Sequence, residues 1–146
     1  MRDYLFRGKR KDDCEWLEGF ALFADNKAFI FNNVKVEFLN GYNEYRMNFT
    51  LKEVIPETVG QYTGLTDKNG KKIFEGDIVS RYINWLGKRV NAVAKYDTTV
   101  ASWLCESFDK DKEQVFLANL VSGNGTYVIG NIYDNPELLK GGEDND

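Results

Sequence analysis

Histidine is absent from the sequence. With it go the commonest general base, the commonest protein metal ligand and every Ser-His or Cys-His nucleophile pair. Cysteine is scarce: Cys14 and Cys105 stand far apart with no C-x-x-C spacing, a usage that predicts two free thiols in a reducing compartment. Long apolar runs are missing too. Stretches such as Ala28 to Phe31 and Val115 to Ala118 fall far short of the roughly 20 residues that span a bilayer. Met1 to Arg7 holds no apolar segment followed by a small-residue cleavage site, so neither a membrane helix nor a secretory signal is expected, and the cytoplasm is the expected compartment. Positive charge is not in excess. A net charge of −4 and an isoelectric point near 5.0 argue against generic DNA coating, and any nucleic-acid site would have to be local.

What the chain does hold is enough apolar residue to build one core. At 146 residues, with 42% hydrophobic and 29% charged, it falls where a single domain over 1–146 is the default and wholesale disorder is excluded. Three Asn-Gly pairs, Asn40-Gly41, Asn69-Gly70 and Asn124-Gly125, supply the positive φ angles of tight hairpin turns. Tyr45, Met47, Phe49 and Leu51 alternate with Arg46, Asn48, Thr50 and Lys52, and Val34, Val36 and Phe38 alternate with Lys35 and Glu37. That period of two predicts a hairpin about Asn40-Gly41 with one apolar face. Trp16 to Phe23, a turn at Asp25-Asn26-Lys27, and Ala28 to Phe31 read as a second hairpin, preceded by a short strand at Tyr4 to Arg7.

Further strands are expected at Ile78 to Ile83, Arg89 to Tyr96 and Val100 to Ser107, with a turn at Leu86-Gly87. A final hairpin is expected from Val115 to Val121 and Thr126 to Ile132, although Phe116, Leu117, Leu120 and Val121 also fit a helical stripe. Asn135, Pro136 and Glu137 carry the signals of a short C-terminal helix, and residues 141–146 read as a disordered acidic tail.

Candidate chemistry is sparse. Arg81, Tyr82, Trp85, Lys88 and Arg89 interleave positive charge with aromatic rings, the combination that stacks exposed bases and holds phosphates. The plainer reading has the rings covering core and the cations solvated at a strand edge. Arg7, Lys9, Arg10 and Lys11 are followed at once by Asp12, Asp13 and Glu15, so a polar turn is expected there. Trp16, Phe20, Phe23, Phe29 and Phe31 are expected to pack as core. Cys105, beside Trp103 and Leu104, reads as a small buried apolar residue. Gly123-Asn124-Gly125 reads as a turn, lacking the third glycine and following helix of a nucleotide loop.

The run from Glu57 to Val79, centred on Gly60-Gln61-Tyr62-Thr63-Gly64-Leu65-Thr66-Asp67 and Ile73-Phe74-Glu75-Gly76-Asp77-Ile78-Val79, resembles the signature of the YopX-like proteins of bacteriophages and prophages. Phe6-Arg7-Gly8-Lys9 with Glu15-Trp16-Leu17-Glu18-Gly19, and Val128 to Leu139, agree with it, so the resemblance spans nearly the whole chain. It implies a phage or prophage origin, a bacterial host cytoplasm and a mainly β fold. On that basis residues 1–56 form an N-terminal β-hairpin region and 57–140 an SH3-like barrel region. Homo-oligomers are plausible, and no activity or cofactor is implied.

Within the central motif, Asn69-Gly70 is expected to close a tight turn and Gly76-Asp77 a diverging turn before the strand at Ile78, with Asp77 accepting backbone amides. The alternative makes Glu75 and Asp77 a catalytic or metal-binding carboxylate pair. No metal or catalytic residue is assigned. The expected function is a non-enzymatic binding module for a host or phage protein, with single-stranded nucleic-acid binding at 81–89 as the alternative.

Overall fold

In the computed structural model, residues 3–39, 44–84, 87–108, 114–121 and 125–140 are described. The Asn40-Gly41 turn, Trp85, Leu86, Asn124 and the acidic tail lie outside them. The chain divides into two compact units, Met1–Gln61 and Tyr62–Asp146.

The first unit is antiparallel throughout: β1 (Phe6–Lys9), β2 (Trp16–Ala24), β3 (Lys27–Phe38) and β4 (Tyr45–Val54), then a 3-10 turn at Pro56–Thr58. The first residues of β5 (Gly60–Thr66) pair with β1. Asp25 and Asn26 both take positive φ (50° and 59°), the two-residue geometry whose twist suits a hairpin, and they set Ala24 opposite Lys27. The segments read separately as Ala28 to Phe31 and Val34 to Phe38 are one strand. Between the pairs Asn32↔Thr50 and Lys35↔Asn48 the register shifts by one residue, and Asn33 sits at φ 52°, a left-handed position that asparagine tolerates. Because side chains alternate with period two, the bulge swaps parity. Odd positions before it (Phe29, Phe31) and even positions after it (Val36, Phe38) share one face with the odd residues of β4.

The other face carries the core of this unit. Ala28, Ile30 and Val54 are fully buried, with Phe6, Leu17, Ala21 and Val59 packed on them. A Cβ at Gly8 would lie 2.9 Å from Val54 Cγ2, so this approach of β1 to the end of β4 needs glycine. The approach is closed by the Arg10↔Val54 bridge and by the Ile55 amide donating to Lys9 O at 2.8 Å. Of the basic run, Arg7 and Lys9 lie in β1, with Arg7 buried and its guanidinium 4.6 Å from the Trp16 ring centroid; the polar turn follows them, where Arg10 pairs with Asp12 and Asp13 (2.5 and 2.9 Å).

In the second unit, the later part of β5 pairs with β6 (Lys72–Phe74). β7 (Asp77–Ile83), β8 (Lys88–Asp97), β9 (Ser102–Ser107), β10 (Gln114–Phe116) and β11 (Thr126–Asn131) form an open antiparallel sheet in the order β10-β9-β8-β7-β11. One expectation fails here and another holds only in part. The segment 115–121 is neither all strand nor all helix. It enters as β10 beside β9 and then turns into α1 (Leu117–Val121), which seats Leu117 in the core beside Ile73, Val79, Ala92, Ala94 and Cys105. It does not pair with Thr126 to Ile132, because β11 lies against β7. The Asn135-Pro136 signal yields a single 3-10 turn, Pro136–Leu139. The Asn135 side chain accepts from the Asn131 amide (3.3 Å) and makes no cap.

Candidate binding surfaces

Both turn motifs of the second unit are structural. Gly70 (φ 80°) follows Asn69, whose amide donates to Asp67 Oδ1 at 2.8 Å. Asp67 Oδ1 also accepts from the Lys71 amide (2.9 Å), and Oδ2 from the Val128 amide (3.1 Å). One buried carboxylate therefore ties the turn to β11. Gly76 lies at φ 84°, its amide donating to Ala94 O and its carbonyl accepting from the Ile132 amide. Asp77 is 1% exposed, and its Oδ2 accepts the Phe74 amide at 2.8 Å. That places Asp77 as the brace of a turn. Among the described residues no group of three or more His, Cys, Asp or Glu is arranged to hold a metal ion.

The predicted cluster at 81–89 is divided by the pleat. Arg81 points to the α1 side and donates to the carbonyls of Asn119 (3.1 Å) and Leu120 (2.6 Å). It thereby satisfies backbone oxygens that a helix end leaves open. Lys88 and Arg89 are exposed, on opposite sheet faces because they are adjacent in β8. Tyr82 is half-exposed and directly opposite Arg89. Trp85 lies outside the described residues.

Two residues the sequence did not single out complete this face. Tyr127 is paired with Ser80, and both Arg89 (6.0 Å) and Lys68 (5.8 Å) stand over its ring. No spacing rule brings 68, 82, 89 and 127 together, because the β11–β7 pairing that does so is non-local.

Cys105 is buried, and burial pushes its thiol up to about 12, since a thiolate there would be unsolvated. Cys14 is exposed. An aromatic disulfide reagent is therefore expected to titrate one thiol promptly in the native protein and the second only in denaturant. Prompt release of two would contradict the packing of β9.

The most prominent surface belongs to the first unit. Phe20 and Phe23 are exposed, against the expectation that they pack as core. On the outer face Phe20 stacks on Phe31 (ring centroids 5.3 Å apart), Phe31 meets Phe49 (5.5 Å), and Phe38 meets Tyr45 edge to face (5.5 Å). Phe20, Leu22, Val36, Phe38, Tyr45, Met47, Phe49 and Leu51 all lie on this face, each 44% to 62% exposed. These positions carry no charged residue. On the reverse face of the same hairpin stand Lys35, Glu37, Arg46, Asn48, Thr50 and Lys52.

Fold and surface together define an all-β protein that presents an apolar sheet face and, in its second unit, a small cationic-aromatic cluster. The family described as YopX protein matches residues 5–140, and the chain belongs to that family. The crystal structure of protein EF1440 from Enterococcus faecalis is similar to it, with a TM-score of 0.60 and 23% identity, covering 96% of this chain and 100% of that one. That likeness is one of fold. A search of curated proteins finds no match. Among the described residues no helix is long and apolar enough to cross a membrane.

Proposed function

We infer that this chain is a non-enzymatic binding module of a phage or prophage, acting in the host cytoplasm on a protein partner from host or phage. One observation carries the reading: the contiguous, half-exposed apolar stretch from Phe20 and Leu22 to Phe38 and Tyr45 on one face of β2, β3 and β4, with the charged Lys27 and Glu53 confined to its far end. Isolated exposed apolar side chains are ordinary, whereas a contiguous patch of this extent marks an interaction surface. The consecutive antiparallel strands β7 to β10, although their sheet is open, and the Gly76-Asp77 turn before β7 support an SH3-like barrel as the scaffold of residues 57–140.

Affinity capture of the tagged chain, with and without nuclease, tests this reading. Nuclease-resistant protein partners that are lost on replacing Phe38 and Tyr45 by serine are expected. Capture that is unchanged by those substitutions would count against the apolar face as the binding surface.

A second reading has its own observation. Tyr82 opposite Arg89, with Tyr127 beneath Arg89 and Lys68, offers rings for stacking and cations for phosphate. If single-stranded nucleic acid binds there, replacing Lys68 and Arg89 together lowers the salt slope of log affinity by about 1.4. Tyr82→Ala would weaken binding with little change in slope, since stacking contributes roughly 1 to 3 kcal/mol without releasing counterions. The protein-partner reading expects no measurable oligonucleotide affinity at low salt.

A further inference from the structure

Of the three Asn-Gly pairs, Asn69-Gly70 is the one with both residues among those described. The pair has a chemical property besides its turn geometry. Glycine has no side chain to shield its amide nitrogen, so that nitrogen can reach the carboxamide carbon of the asparagine before it. Both residues are exposed, and a Cβ at Gly70 would meet nothing within 4 Å, so packing does not hinder the approach. Hydrogen bonds do. The Gly70 amide, which is the nucleophile, donates to Asp67 O at 3.0 Å, and the Asp67 amide donates to Lys71 O at 2.8 Å. Asp67 Oδ1 holds the amides on either side, those of Asn69 (2.8 Å) and Lys71 (2.9 Å). Its Oδ2, accepting from the Val128 amide at 3.1 Å, anchors the whole turn to β11.

We propose that Asn69-Gly70 is a self-modification site, a spontaneous deamidation that the Asp67 carboxylate keeps locked. When the turn opens, the Gly70 nitrogen bonds to Asn69 Cγ and the Cγ–Nδ2 bond breaks. The proton lost from the Gly70 amide leaves with Nδ2 as ammonia, and a cyclic imide remains. Water then opens the imide at one of its two carbonyls. Opening at Cγ leaves aspartate, and opening at the main-chain carbonyl leaves isoaspartate, whose backbone runs through Cγ. The reaction needs no other reagent and is not reversed by reclosing the turn. Isoaspartate adds a methylene to the main chain between the two amides that Oδ1 holds, so the turn no longer fits its acceptor. Either product sets a new carboxylate near that of Asp67, where like charges oppose each other, and beside Lys68, which stands over the Tyr127 ring. Deamidation therefore releases the 67–71 turn from β11 and offsets one cation of the cluster on that face. Because the step requires the opened turn, its rate is the open-chain rate multiplied by the fraction of molecules open.

Ageing the full chain at one slightly alkaline pH, native and in guanidinium chloride, tests the proposal. Cleavage after glutamate gives the peptide 58–75, in which Asn69 is the single asparagine, and chromatography with mass spectrometry separates its Asn, Asp and isoAsp forms. Conversion at Asn69 is expected to be slower in the native protein than in the unfolded chain by about 30-fold or more, as several hydrogen bonds of about 1 kcal/mol each must open first. Asp67→Ala should speed native conversion by about 10-fold. Asp67→Asn, which keeps an acceptor for the turn and is the milder change, should lie between. Asp77→Ala destabilises a different turn and should leave the rate at Asn69 within about 2-fold of the wild type, which separates local opening from global unfolding. Hydrogen exchange of the Gly70 amide in the wild type, which needs no variant, should show protection of the same order as that against conversion. Equal rates in the native and unfolded protein overturn the proposal. So does an Asn69 that stays unconverted in guanidinium chloride, a Gly70 amide that exchanges as in the unfolded chain, or acceleration by Asp77→Ala as large as that by the Asp67 variants.

Discussion

Gly76→Val is expected to destabilise the protein by about 3 to 5 kcal/mol, and to do so more than Asp77→Ala. Gly76 occupies φ 84°, and a Cβ there would lie 3.2 Å from Tyr133 Cε2 and 3.5 Å from Ile132 Cγ1. A β-branched residue pays backbone strain of about 1 to 3 kcal/mol at such an angle. It then adds overpacking of about 1 to 3 kcal/mol as Tyr133 is displaced. Asp77→Ala removes the carboxylate that accepts the buried Phe74 amide, at about 1 to 3 kcal/mol. Thermal unfolding should place the valine variant roughly 10 °C below the wild type. Gly76→Ala should fall between, since it bears the angle with less of the bulk. Equal melting temperatures for the valine and Asp77→Ala variants would contradict the diverging turn.

That turn was legible because its constraint is local: a glycine before an aspartate, between apolar segments, needs no distant partner to be read. The β3–β4 hairpin was legible for the same reason, its alternation running from Tyr45 to Leu51 without interruption. What alternation cannot tell is whether an apolar face is covered. The same pattern that predicts burial of Phe20 describes a face left half in water, and only the three-dimensional arrangement distinguishes them.

The bulge at Asn33 hid a single strand behind two, because its parity swap resembles a break. The pairing of β11 with β7 was missed because a local rule joins neighbouring segments, whereas the core required α1 to seat Leu117 between them in sequence. In the sequence Arg81 reads as an exposed cation, either holding phosphate or solvated at a strand edge. It belongs to the end of a helix that the sequence left ambiguous, so its role could not be assigned before that helix was.

The carboxylate of Asp67 should contribute the other large effect, and a pH dependence identifies it. Burial alone raises its pKa, but the Val128, Lys71 and Asn69 amides, with the Lys71 charge, outweigh burial and hold the carboxyl below its ordinary value. Asp67→Ala removes three hydrogen bonds to a charged acceptor, two of whose amide donors lie in a turn that water can reach. The expected loss is about 3 kcal/mol. Asp67→Asn keeps an acceptor for the turn but turns an NH2 toward the Val128 amide, so an intermediate loss is expected. A group depressed in the folded state stabilises fully above its unfolded pKa of about 3.9 and loses that contribution as pH falls through the folded value. The wild type should therefore hold its advantage over Asp67→Asn at neutral pH and yield it progressively below about pH 4. Denaturant unfolding of both proteins across that range checks the sign. A gap that stays constant into acid, or widens, would show that the ionised carboxylate is not what joins the 67–71 turn to β11.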